Sequence, residues 1–348
     1  TTLTYGGIIA GGSALTLGSS GNTGTVLLSG TSTYTNNTTV AYGTLAVSGV
    51  GNVSYGPLGA ADTTYRTIVN SGATLDLQNT AYYVQTSAYE PLTLAGGTLT
   101  ASTGSSTWYG TVTLTADSIL SAATSASLEV SGVISGAFNL TKSGLGTVVL
   151  SAANTYTGTT SITAGILRAT NATALGPVNS SAVTIGVNGT LDISATVGAK
   201  PITLNGGILT TTAGGSLSGA ITLGAASTFS ASAATTLTLS GVVSGAFAVT
   251  KDGAGTVVLS GANLYSAGTT ISAGILRAST TSSVGAVGAL TSGPVGTGTV
   301  SISNGAALDA YNGITLGNAL SVAGAYSATV GAVTNSVAAS TSTLSGPV

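Results

Sequence analysis

The sequence predicts an all-β chain wound as a β-solenoid, with essentially no α-helix. Three observations carry this. The stretch 131–168 returns at 240–277, with Lys142 matched by Lys251, Tyr156 by Tyr265 and Arg168 by Arg277, an offset of 109 in each case. A self-match of that length marks stacked repeats that share one core. Short period-two runs such as Thr147-Val148-Val149-Leu150, Val183-Thr184-Ile185 and Val300-Ser301-Ile302 are bounded by Gly, Asn or Ser, the pattern of strands closed by turns. No segment carries a helical stripe, and the helix formers Glu, Lys and Gln are scarce.

The elements follow in order. GTVLLSGTSTYTNNTTVAYGTL at 24–45 matches 146–167 and sets Tyr34 against Tyr156. Two tyrosine-rich insertions come next, at 50–66 and 81–90. Insertions in solenoids become loops on one face, and exposed tyrosine suits interfaces and sugar stacking. Tyr55, Tyr65, Tyr82, Tyr83 and Tyr89 are therefore candidate surface-binding residues. GATLDL at 72–77, GTLDI at 189–193 and GAALDA at 305–310 put Asp76, Asp192 and Asp309 in one equivalent position. LTLAGGTLT at 92–100 matches ITLNGGILT at 202–210, and 110–138 matches 219–247. These matches divide one continuous solenoid into three large repeats, 1–131, 132–240 and 241–348. With about 20–25 residues per rung and ~4.8 Å between rungs, roughly 14–17 rungs are expected.

Composition narrows the function. The 348 residues include only six basic and eight acidic side chains, for a net charge of −2, and no His, Cys or Met. Scarce charge with ample Leu, Val and Ile argues against disorder. So little charge gives copies almost no mutual repulsion, which favours a native state that is assembled or packed against something. Without Cys there are no disulfides, consistent with an extracellular chain held by ladders. No basic cluster exists to hold nucleic acid, and no apolar run is long enough for a membrane-spanning helix. The chain opens directly in repeat-like sequence, as a processed mature protein would.

The two ends share a phase. LTYGGIIAGG at 3–12 aligns with 237–246, and LSGPV at 344–348 aligns with 239–243. Neither end carries a charged or helical cap, and an uncapped solenoid exposes unpaired edge groups. A head-to-tail interface is accordingly expected at Leu3, Tyr5, Ile8, Ile9, Leu344, Pro347 and Val348, with a second copy of the chain as partner.

The motif Lys-x-Gly-x-Gly-Thr-Val-Val-Leu-Ser, then Asn-x-Tyr, Thr-Thr and Ala-Gly-Ile-Leu-Arg, stands at 142–168 and 251–277. It resembles the autotransporter-associated β-strand repeat of passenger regions in bacterial type V secreted proteins. The first copy has Leu17 to Gly21 where the lysine belongs and Ala46 near the arginine position. The resemblance implies a right-handed parallel β-helix outside the cell, at the bacterial surface.

The residues themselves point to stacking. Gly144 and Gly146, with Gly253 and Gly255, suit tight corners, and Asn154 and Asn263 suit turns where the amide bonds backbone. Catalysis by a β-helix needs clustered carboxylates or a general base; here the acids are dispersed and three recur at one position, so they read as turn or ladder-edge acceptors. No catalytic, cofactor-binding or metal residue is assigned, and no cofactor is expected. Lys142, Lys251, Arg168 and Arg277 read as surface charges or exposed pairs, Lys251 with Asp252 for example.

Three functions are weighed. The favoured one is an extracellular structural subunit stacking head-to-tail into a fibre, by blunt stacking or strand donation. The second is a passenger or adhesin stalk facing a cell surface or extracellular matrix. The third, an ice- or surface-binding solenoid, needs Thr-x-Thr on every rung, and Thr2-Leu3-Thr4, Thr98-Leu99-Thr100 and Thr111-Val112-Thr113 do not fall at rung spacing along the sequence.

Overall fold

Parallel pairing of short strands, one turn of chain apart, builds the protein. The computed structural model describes residues 1–49, 55–60, 64–78, 81–82, 89–285, 289–323, 333–336 and 341–347. Among these there is no helix, and the chain winds as a parallel β-solenoid of about 14 turns in all. It divides into two units, Thr1–Ser181 and Ala182–Val348.

In the first unit three ladders run side by side. One stacks Leu15–Leu17, Thr38–Val40, Thr67–Asn70, Leu92–Ala95, Val112–Ala116 and Ile134–Ser135. A second runs from Thr2–Tyr5 through Thr25–Leu28, Thr44–Val47, Thr74–Gln78, Thr98–Thr103, Ser118–Ala122 and Leu140–Ser143 to the start of Thr160–Ala169. A third joins Ser105–Trp108, Ser127–Val130, Thr147–Leu150 and the end of Thr160–Ala169. The second unit repeats the plan, for instance with Thr196–Val197, Gly215–Leu217, Thr236–Leu239, Thr256–Leu259, Ile275–Ala278 and Ala307–Ala310 in one ladder. Two side arms pair antiparallel, Tyr55–Gly56 with Gly59–Ala60 and Ser283–Val284 with Leu290–Ser292, and isolated antiparallel bridges join Ser32 to Gly56, Asn70 to Gly96, Gly186 to Gly206 and Asn263 to Gly293.

Alternation decides what each strand buries. Leu45, Leu75, Leu99 and Leu120 occupy one inward column, and all are fully buried. Each such side chain contributes about 1.5–3 kcal/mol of hydrophobic stabilisation. The neighbouring outward column holds Thr2, Thr25, Thr44, Thr74, Thr98, Ile119, Thr141 and Ser161. Its counterpart in the second unit holds Thr190, Ile208, Thr228, Thr250, Thr270, Ser301 and Ser321. Single hydroxyls therefore align at rung spacing, interrupted by Ile119 and Ile208, whereas Thr-x-Thr does not recur: Thr4 stands opposite Leu27, and Leu27 opposite Ala46. Loop length hides the alignment: one turn takes Thr25 to Thr44, and the next, which carries an insertion, takes Thr44 to Thr74. Hydroxyl columns wet the exterior, so the solenoid needs few charges.

Candidate functional site

The polar side chains that recur from repeat to repeat turn inward or tie one rung to the next. Three sets do this.

Asn154 and Asn263 each span three rungs. Asn154 Oδ1 accepts from Ile134 N at 2.8 Å, and its Nδ2 donates to Ala174 O at 2.7 Å. Asn263 Oδ1 accepts from Val243 N at 2.7 Å, and its Nδ2 donates to Pro294 O at 2.6 Å. Both are buried, so these bonds satisfy backbone groups that no water can reach.

The three aspartates act alike. Asp76 accepts from Ser102 N and Oγ at 2.9 and 2.7 Å, Asp192 from Thr212 N and Oγ1 at 3.1 and 2.7 Å, and Asp309 from Ser336 N and Oγ at 3.0 and 2.8 Å. Each carboxylate thus pins the corner of the following rung, in line with their reading as ladder-edge acceptors. Asp309 also accepts from Arg277 Nε at 2.7 Å, and the guanidinium lies 4.7 Å over the Tyr311 ring. In the first repeat Ala46 stands opposite Asp76, where Arg277 stands opposite Asp309.

Lys142 and Lys251 overturn the surface-charge reading. Both are buried. Lys142 Nζ donates to the carbonyls of Ser143, Gly144 and Ala164 at 2.7, 2.8 and 2.9 Å; Lys251 Nζ donates to those of Asp252, Gly253 and Ala273 at 2.9, 2.8 and 2.8 Å. Lys251 points in while Asp252, the next residue of the strand, faces out. Lys200, which the sequence did not single out, is buried as well. The sequence treated the lysines as charges; their place in an inward column, opposite Leu120 and Ile162 or Phe229 and Ile271, appears only with the register.

Burial pulls all three lysines down to about 8. The unfolded chain then holds these protons more tightly than the folded one between about pH 8 and the ordinary lysine value near 10.4. Stability against unfolding should be flat below about pH 8 and rise as pH climbs towards 10. Urea midpoints at pH 7, 9 and 10 check this, and a midpoint that falls over the range would contradict it. Above pH 10 the buried phenols act in the opposite sense: burial pushes Tyr156 up to about 12 and raises Tyr34 and Tyr265 further.

A buried tyrosine–threonine pair also recurs, Tyr34 with Thr38, Tyr156 with Thr160 at 2.8 Å and Tyr265 with Thr269 at 2.7 Å. Its signal, Tyr-x-x-x-Thr in each repeat, was present in the sequence. So was Asn-x-Tyr, whose asparagine and tyrosine both prove to be core residues.

Tyr89 is exposed and stacks on Tyr109, with ring centroids 5.6 Å apart. Tyr55 is exposed in its side arm, and Tyr65 is half-buried. Tyr82 enters the ladder opposite Trp108. Tyr83 lies outside the described residues, as do Asp62 and Val348. Glu90, at the end of the second insertion, is buried and accepts from Thr67 Oγ1. Leu3, Tyr5 and Ile8 are exposed and Ile9 is half-buried. Leu344 and Pro347 are exposed, and Pro347 O accepts from Leu320 N. Among the described residues no group of three or more acidic side chains is placed to hold a metal ion.

The family described as Passenger-associated-transport-repeat matches the chain at 21–47, 140–169 and 249–278. The last two are the lysine-bearing copies that carried the resemblance, and the first is the copy with Leu17. The chain is also similar to the protein named Adhesin BmaC autotransporter from Brucella suis biovar 1 (strain 1330), 38% identical over 128 residues. That alignment takes in 36% of this chain and 4% of the relative's length. No solved structure matches the chain.

Proposed function

With three passenger-associated-transport-repeats as the premise, we propose that the chain is part of the passenger of a bacterial surface protein of the adhesin type. Its role is structural: a β-solenoid stalk that carries a binding region away from the cell. The observation that carries this reading is the fate of the repeated polar residues. Asn154, Asn263, Asp76, Asp192, Asp309, Lys142 and Lys251 bond to the next turn of the same chain. Side chains used that way serve the stack, which supports a structural role over a catalytic one. Binding then falls to the exposed tyrosines of the insertions, Tyr55 and Tyr89, or to sequence beyond this segment. Antibody against 131–168 should label intact, unpermeabilised cells, and external protease should remove the signal. Labelling only after permeabilisation would overturn the assignment.

Head-to-tail fibre assembly is the second reading. Its support is the exposed apolar set of Leu3 and Tyr5, on a strand that pairs with Thr25–Leu28, and Ile8 just after it. A preceding turn of the same polypeptide would cover that edge equally well, so the stalk is preferred. Sedimentation of the isolated segment over a hundredfold concentration range separates the two: a growing series of oligomers supports the fibre, and a constant monomer removes it.

A further inference from the structure

We propose that each lysine-bearing corner is a preformed backbone receptor for a primary ammonium group, and that Lys142 and Lys251 are its built-in occupants. Two consecutive left-handed glycine corners create the receptor. Gly144 has φ +71° and Gly165, one turn on, has φ +66°. Gly165 sits so close to the earlier corner that a Cβ there would lie 2.4 Å from Gly144 O and 2.5 Å from Gly146 O. The second unit reproduces this with Gly253 at +77° and Gly274 at +61°, where a Cβ would lie 2.4 and 2.5 Å from Gly253 O and Gly255 O. The stacked corners turn three carbonyls onto one point, and a –NH₃⁺ group has three donors to meet them.

The second glycine of the corner keeps its shape where the lysine is missing. In the first repeat Leu17 faces Val40 as Lys142 faces Ile162, and Gly43 holds φ +72° with its Cβ position 2.6 Å from Gly24 O, as Gly165 is held against Gly146 O. The loop before it differs, since Leu17 lies seven positions before Gly24 and Lys142 four before Gly146, so the three-carbonyl corner accompanies the lysine. Its two sequence-local bonds, to Ser143 and Gly144, hold the turn, and its third, to Ala164, reaches the next rung. Below about pH 8 the lysine carries its proton and clasps consecutive corners where an aliphatic side chain would only fill space; desolvation offsets part of that gain, which is why its pKa is lowered.

Chemical rescue tests this. Lys251→Ala should melt at a lower temperature than the parent. n-Propylammonium, which matches the Cγ, Cδ, Cε and Nζ atoms removed, should raise that temperature saturably in the variant and leave the parent unchanged. Tetramethylammonium at equal ionic strength, which has no N–H to donate, should do nothing. Equal responses to both cations, or none, would overturn the proposal. If Lys251→Ala does not fold, Lys251→Met supplies the lost volume without a donor. Amide exchange at 253–256 and 274–275 should then quicken by about tenfold or more, the value of a charge-assisted hydrogen bond, and unchanged exchange there would overturn it.

Discussion

Gly132→Ala should destabilise the first unit by about 3 kcal/mol, the upper range of overpacking. A Cβ at Gly132 would lie 1.8 Å from Gly110 O, 2.4 Å from Gly110 C and 2.7 Å from Tyr109 O. All three atoms are backbone, so no rotamer change relieves the clash. Nor can the rungs separate, because Ser131 N donates to Trp108 O and Val112 N to Val133 O, both at 2.9 Å. Gly241 repeats the arrangement, with a Cβ 1.9 Å from Gly219 O. Gly12→Ala is the control, since its Cβ would meet nothing within 4 Å. Urea unfolding of the three variants checks the order: Gly132 and Gly241 lower the midpoint strongly, and Gly12 leaves it nearly unchanged.

Asn263→Ala should cost about 2–6 kcal/mol, because it leaves Val243 N and Pro294 O buried without partners, at about 1–3 kcal/mol each. Asn263→Asp should not recover the loss. It keeps an acceptor for Val243 N but sets a carboxylate oxygen against Pro294 O, two acceptors facing each other at a buried site. Asn154 should behave in the same way towards Ile134 and Ala174. Thermal and urea midpoints of the alanine and aspartate variants read this directly.

The fold was legible because its signal is local and repeated. Period-two runs gave the strands, and the 109-residue self-match gave the stacking. What could not be read was anything that depends on which turn lies against which. Lys142 and Lys251 looked like surface charges because a strand's inward face is fixed only by register, and a residue slip of one reverses it. The threonine columns escaped notice for a related reason, since turns of unequal length scatter aligned residues along the sequence. The aspartates were legible as acceptors, but their partners Ser102, Thr212 and Ser336 lie a rung away. Of the candidate binding residues, Tyr55 and Tyr89 are exposed as the insertions implied, and Tyr65 is half-buried.

The central claim is that the repeated polar side chains exist to tie rung to rung. Site-resolved hydrogen exchange of Asn263→Ala against the parent tests it most directly. The account predicts that protection collapses at Val243, whose N–H bonds the Asn263 side chain, while the aliphatic ladder Thr236–Leu239 to Thr256–Leu259 stays protected. Unchanged protection at Val243 would contradict it.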